Sequence, residues 1–160
     1  MPPNEPENIK KPEGTSLVFI PKDKAIYKIV SILDQSKALT VNSTSNKAEI
    51  QGYNGSPNQK FNIYTQGNKV AFVLVGNQNA LCVLEDKPDS RTPIVGDPGK
   101  HASSWFEVVT VDKGNYLGKG FFIKTNFDKV FDISESKAVD GKVIWQHPVH
   151  NGGNQVWLIE

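Results

Sequence analysis

Three segments of this chain can be laid over one another, and nothing else in the sequence restricts its fold as tightly. The first runs from Ile26 through Ala38-Leu39-Thr40-Val41 to Asn58-Gln59-Lys60-Phe61. The second runs from Ala71 through Ala80-Leu81-Cys82-Val83 to Ser103-Ser104-Trp105-Phe106. The third runs from Phe121 through Val130-Phe131-Asp132-Ile133 to Asn154-Gln155-Val156-Trp157. Each reads as an apolar strand, a turn, a short apolar strand, a polar stretch and a third strand, closed by an aromatic. Taking Phe61, Trp105 and Trp157 as the closing residues puts them 44 and 52 positions apart. Three four-strand units predict an all-β protein of twelve strands in three pseudo-symmetric repeats, over about 20–67, 68–114 and 115–160. A threefold barrel with one shared core is the simplest way to bury three such aromatics together.

Helix-period patterning is nearly absent. Runs rich in Val, Ile, Phe and Tyr predict strands at 26–32, 38–41, 48–51, 60–64, 69–75, 80–84, 93–96, 105–110, 120–125, 130–133, 142–146 and 156–159. Clusters such as Gly52-Tyr53-Asn54-Gly55-Ser56-Pro57 and Gly96-Asp97-Pro98-Gly99 supply the turns between them. Residues 1–15 differ: Pro2, Pro3, Pro6 and Pro12 are interspersed with charge, and only Met1 and Ile9 are apolar. Such a segment cannot offset its ordering entropy, so a disordered tail is expected there, with a single domain over 16–160.

A chain of 160 residues suits one domain whose core needs no disulfide. Lys plus Arg number 18 against 17 Asp plus Glu, a net charge of +1, which makes no electrostatic case for nucleic acid or an anionic membrane as partner. The longest apolar run, Val70 to Val75, is far short of the roughly 18 residues of a spanning helix, so no membrane insertion is expected. The N-terminus lacks the basic start and apolar stretch of a secretory signal, and the single Cys82 excludes an intrachain disulfide. The expectation is a cytoplasmic protein, released, if at all, by a non-signal route.

The third repeat carries the most chemistry, in Asp132-Ile133, Asp140-Gly141-Lys142-Val143-Ile144-Trp145 and Asn151-Gly152-Gly153-Asn154-Gln155-Val156-Trp157. It resembles the ricin B-type β-trefoil lectins, whose repeats end in Gln-x-Trp and carry an Asp on the second strand. In the first repeat, Glu49-Ile50-Gln51-Gly52-Tyr53 with Asn58-Gln59-Lys60-Phe61 looks like the same motif with Phe for Trp. The second keeps only the aromatic, Trp105. The resemblance spans about residues 20–160, and without disulfides or a signal the chain is most similar to cytoplasmic, fungal-type members. It implies a β-trefoil fold and a galactose- or GalNAc-type site in repeat three.

A sugar presents hydroxyls that donate and accept, plus one apolar face, so an ionised acceptor, an amide and a flat aromatic wall suit it. Asp132 could accept two hydroxyl protons through charge-assisted bonds, and Asn154 could add a donor and an acceptor. Trp145, His147 or His150 would form the wall or the rim, and Gly152-Gly153 would let a ligand approach the backbone closely. Gln155 belongs to the site by its motif, yet with Trp157 it reads first as a core and fold determinant rather than a ligand contact. Strand alternation turns either Ile144 or Trp145 inward, and the sequence leaves that choice open. In repeat one, Thr40 stands where the acid belongs, among Gln51, Tyr53, Asn58 and Gln59. That set is a weaker second site or a decayed repeat kept for folding. Repeat two has Cys82 for the acid and Ser103-Ser104 for Asn-Gln, and is expected to hold no such site.

His147 and His150 offer two metal ligands, but no carboxylate or thiol lies near them in sequence, and zinc takes three or four. They read as loop histidines, with no metal. Gly114 to Gly120 lacks the spacing of a phosphate-binding loop, and no nucleophile elbow or ordered triad occurs. No cofactor is implied and an enzyme is not expected. The function that follows is a lectin for galactose- or GalNAc-containing glycans, weak at each site, for which a second site or a homodimer would supply avidity. The alternative is a protein-binding trefoil such as a protease inhibitor, presenting the polar stretch 85–101 with Pro88, Pro93 and Pro98.

Overall fold

Short β-branched and aromatic runs bounded by turn residues form strands throughout residues 18–22 and 24–160, which the structure, a computed structural model, describes. The tail expected over 1–15 lies outside the described residues. The first repeat contributes β1 (Ile26–Tyr27), β2 (Ile29–Ser31), β3 (Asp34–Val41), β4 (Ala48–Gly52) and β5 (Phe61–Gln66). The second contributes β6 (Lys69–Leu74), β7 (Ala80–Val83), β8 (Ile94–Asp97) and β9 (Glu107–Thr110). The third contributes β10 (Phe121–Lys124), β11 (Val130–Ile133), β12 (Ile144–His147) and β13 (Trp157–Ile159). The extra strand beyond twelve is one strand divided at Lys28. There Lys28 N donates to Glu160 O at 3.2 Å and Glu160 N donates back to Lys28 O at 3.1 Å, so pairing continues across the break.

Pairing of the outermost strands of each repeat closes a ring. Strand β2 pairs with β13, β13 with β10, and β10 with β9. Val70 on β6 and Phe106, just before β9, exchange two backbone bonds of 2.8 Å, and β6 pairs with β5 and β5 with β1. Closure leaves this barrel without a free edge. The β3–β4, β7–β8 and β11–β12 hairpins touch one another through the bridges Lys47–Val95, Glu49–Val143 and Pro93–Trp145. A closed barrel capped by three hairpins is a β-trefoil.

Phe61, Phe72, Phe106, Phe131 and Trp157 are fully buried in one cluster, with successive phenyl centroids from Phe61 to Phe131 at 6.4, 5.9 and 5.0 Å. The closing aromatic of repeat two is therefore Phe106, not Trp105. Each repeat has a 3-10 turn (Pro57–Gln59, Ala102–Ser104, Gly153–Gln155), then one extended residue, then the core aromatic. Extended backbone sends successive side chains to opposite faces, so only one of Trp105 and Phe106 can point at the axis. Trp105 occupies the place of Lys60 and Val156. It is 7% exposed, and its indole N–H has no partner among the described residues.

Candidate functional site

The residue that shapes the notches of repeats one and three is the glutamine that ends the 3-10 turn. Gln155 Oε1 accepts from His150 N at 2.9 Å, and its Nε2 donates to Pro148 O at 2.9 Å and Asp132 Oδ2 at 2.8 Å. Gln59 repeats the pattern: Oε1 accepts from Asn54 N, and Nε2 donates to Gly52 O and Thr40 Oγ1, each at 2.9 Å. One buried amide thus ties the loop after the third strand to the middle of the second. The preceding asparagines act alike, Asn154 Nδ2 donating to Ile133 O at 3.1 Å and Asn58 Nδ2 to Val41 O at 3.0 Å.

In repeat three the register sets Asp132 opposite Trp145. Ile144 and Gln146 are buried while Trp145 and His147 are half-buried, so Ile144 is the inward member of the pair left open by the sequence. Trp145 Nε1 donates to Asp132 Oδ1 at 2.8 Å. With Gln155 on Oδ2 and His150 Nε2 3.3 Å from the same oxygen, the carboxylate, 4% exposed, is a hub for three nitrogens. A carboxylate has about four lone-pair positions, which leaves roughly one for a ligand. His147 Nδ1 stands 4.0 Å from Oδ2, and the Arg91 guanidinium lies 5.9 Å above the Trp145 ring. Gly152 and Gly153 do not open onto a ligand. A Cβ on Gly152 would come within 2.7 Å of His150 Cε1, and one on Gly153 within 2.6 Å of the Tyr116 hydroxyl. Protein side chains fill the space they leave.

Repeat one is more open. A polar cavity of about 370 Å³ is lined by Thr40, Asn42, Glu49, Gln51, Asn58 and Gln59 among others. Thr40 replaces the acid on β3, but Glu49 sits directly opposite it on β4, in the register that Trp145 holds towards Asp132. Glu49 Oε1 accepts from Asn42 Nδ2 at 2.7 Å and Oε2 from Gln51 Nε2 at 3.3 Å. The acid of this notch has moved one strand over. Comparing equivalent positions along the chain misses it. The signal was the outward place of Glu49 between buried Ala48 and Ile50. Tyr53 does not line the cavity; its ring lies 4.7 Å beneath the Lys28 ammonium.

Repeat two has neither the acid nor the glutamine at the equivalent positions, which are Cys82 and Ser104. Cys82 is fully buried, and burial pushes its thiol up to about 12. Ser104 stands where Gln155 stands in repeat three, and its buried hydroxyl has no partner among the described residues. The work of the glutamine is done instead by ions. His101 Nδ1 meets Asp86 Oδ2 at 2.9 Å and its Nε2 meets Asp97 Oδ2 at 2.7 Å, while Ser103 Oγ donates to Asp86 Oδ1. The bonds to Asp86 and then Asp97 raise the His101 pKa. The same bond from His101 lowers Asp97. Burial alone would raise Asp86, but the bonds from Ser103 and His101 outweigh it and hold that carboxyl below its usual range.

No family model matches the sequence, and no curated protein matches it. Solved structures do. A designed threefold-symmetric protein, ThreeFoil, aligns with TM-score 0.74 at 21% identity over 84% of this chain and 96% of its own. The Macrolepiota procera ricin B-like lectin, solved with lactose, aligns with TM-score 0.72 at 17% identity over 89% of this chain and 99% of its own. An exo-β-1,3-galactanase from Clostridium thermocellum aligns with TM-score 0.71 at 22% identity, over 88% of this chain but only 31% of the enzyme's. The likeness is one of fold: the chain has the β-trefoil architecture that ricin B-like lectins also have.

Proposed function

We propose that this β-trefoil is a carbohydrate-binding lectin of the ricin B-like kind, without catalytic activity, that takes galactose- or GalNAc-type glycans. The observation that carries the reading is the pair of acid-bearing notches in repeats one and three, each braced by an equivalent three-bond glutamine. In repeat three, Asp132 offers its remaining lone pair, and Trp145, His147 and His150 form the rim. In repeat one, Glu49 replaces the acid, and Gln51, Asn42 and Asn58 present amides to a hydroxyl-rich ligand. Lactose in the Macrolepiota procera lectin supports a galactoside as the first ligand to try. A galactanase with a similar fold shows that trefoils also occur within enzymes, but neither notch here aligns a nucleophile with a base.

The protease-inhibitor alternative has less support. The stretch 85–101 contains β8, and buried Gln146 Nε2 donates to Lys87 O and Asp89 O at 2.9 Å, so it does not project as one free loop. The test is passage over galactose, lactose and GalNAc resins with elution by free sugar, beside Asp132→Asn and Glu49→Gln. The asparagine variant is preferred to alanine because it leaves one of the N–H groups of Trp145 and Gln155 without an acceptor, where alanine would strand both. Retention of the wild type, weakened by either change, is expected. Folded wild type that flows through every matrix, or that inhibits papain- or trypsin-like proteases instead, refutes the reading.

A further inference from the structure

Repeats two and three solve opposite problems of charge. In repeat two one imidazole is shared by two carboxylates, and a proton satisfies all three. In repeat three two imidazoles face one carboxylate that already accepts N–H groups from Trp145 and Gln155. The two rings lie side by side, their centroids 5.8 Å apart. A dication in their midst would satisfy all three groups.

We propose that Asp132, His147 and His150 bind a first-row divalent transition metal, Zn²⁺ being the best matched, at the rim of the repeat-three notch. One ligand atom from each lies within 4.8 Å of the other two. Ligands about 2.0–2.2 Å from a tetrahedral ion stand roughly 3.3 Å apart, the spacing already present between Asp132 Oδ2 and His150 Nε2. The carboxylate is the fixed member, 5% exposed at its side chain and oriented by Trp145 and Gln155 as outer-shell partners. The histidines are the adjustable ones, with side chains 31% and 41% exposed.

Binding changes their tautomers and two solvent-facing bonds. Gly152 N donates to His150 Nδ1 at 3.0 Å, so neutral His150 carries its proton on Nε2 and points it at Asp132. Taking the ion on Nε2 moves that proton to Nδ1 and turns the Gly152 N–H to water. His147 Nδ1, which donates to Pro148 O at 3.2 Å, likewise exchanges that contact for the ion, and its proton moves to Nε2. Two imidazoles and one carboxylate select borderline ions over Ca²⁺ and Mg²⁺, which take oxygen ligands. Three protein ligands leave a coordination position open to solvent. The inference needs no sugar and stands apart from the lectin reading.

The experiment is calorimetric titration of the untagged, metal-free chain with Zn²⁺, with Co²⁺ as an optical probe. Variants His147→Ala, His150→Ala and Asp132→Asn are compared with His101→Ala, each first shown to be folded by circular dichroism. One ion per chain, binding weakened roughly tenfold or more in every notch variant, and no change in His101→Ala is the expected pattern. Absence of Zn²⁺ binding, or binding of equal strength in the folded histidine variants, or loss in His101→Ala, overturns it.

Discussion

Gln155 makes three hydrogen bonds in its notch, as Gln59 does in its own, and its loss tests how the notch is built. Gln155→Ala strands His150 N–H and Pro148 O, both at the boundary of solvent, and takes a buried donor from Asp132 Oδ2. Leaving buried polar groups unpaired costs about 1–3 kcal/mol each, less where water can replace the partner. A loss of about 2–3 kcal/mol in chemical denaturation is expected, with Gln59→Ala close behind. The adjacent aromatics of repeat two make a second contrast. Phe106→Ala empties the core and should cost about 3–5 kcal/mol. Trp105→Phe removes an indole N–H that has no partner among the described residues, so the same denaturation assay should show a change of under about 1 kcal/mol. A large loss from Trp105→Phe would mean that the N–H is satisfied.

At the scale of elements, three hairpins of the same shape are braced by different chemistry. Amides brace repeats one and three, whereas ions brace repeat two, so the clasp of repeat two should respond to pH. The His101 pKa is raised above its ordinary value of about 6.5, so its contribution is complete below that pH and is lost as pH rises through the raised value. Asp86 and Asp97 are lowered, so theirs is complete above about pH 4 and is lost as pH falls through the lowered values. Clasp stability is greatest between these limits, in mildly acidic solution. Thermal melts from pH 5 to 9 should show wild type losing stability above about pH 6.5, and His101→Ala should flatten that slope. Gly99 belongs to the same clasp, since a Cβ there would lie 2.8 Å from Asp97 Oδ2.

For the whole molecule, barrel closure joins the repeats into one core, with Phe61, Phe72, Phe106 and Phe131 linked ring to ring across it. The sequence by itself determined the strands, the turns between them and their threefold grouping. Those depend on alternation and turn chemistry, which act between residues a few positions apart and are written in consecutive letters. It also marked Asp132, Asn154 and Gln155 as special, although Asn154 turned out to hold backbone. Only the tertiary structure decided which of Trp105 and Phe106 faces the axis, that Glu49 supplies repeat one with its acid, and that Asp132 stands beside two histidines on the neighbouring strand and loop. Each of these is a matter of cross-strand register. A one-residue slip between strands would re-aim every side chain, and that register is set by core packing shared among all three repeats rather than by any local run of residues.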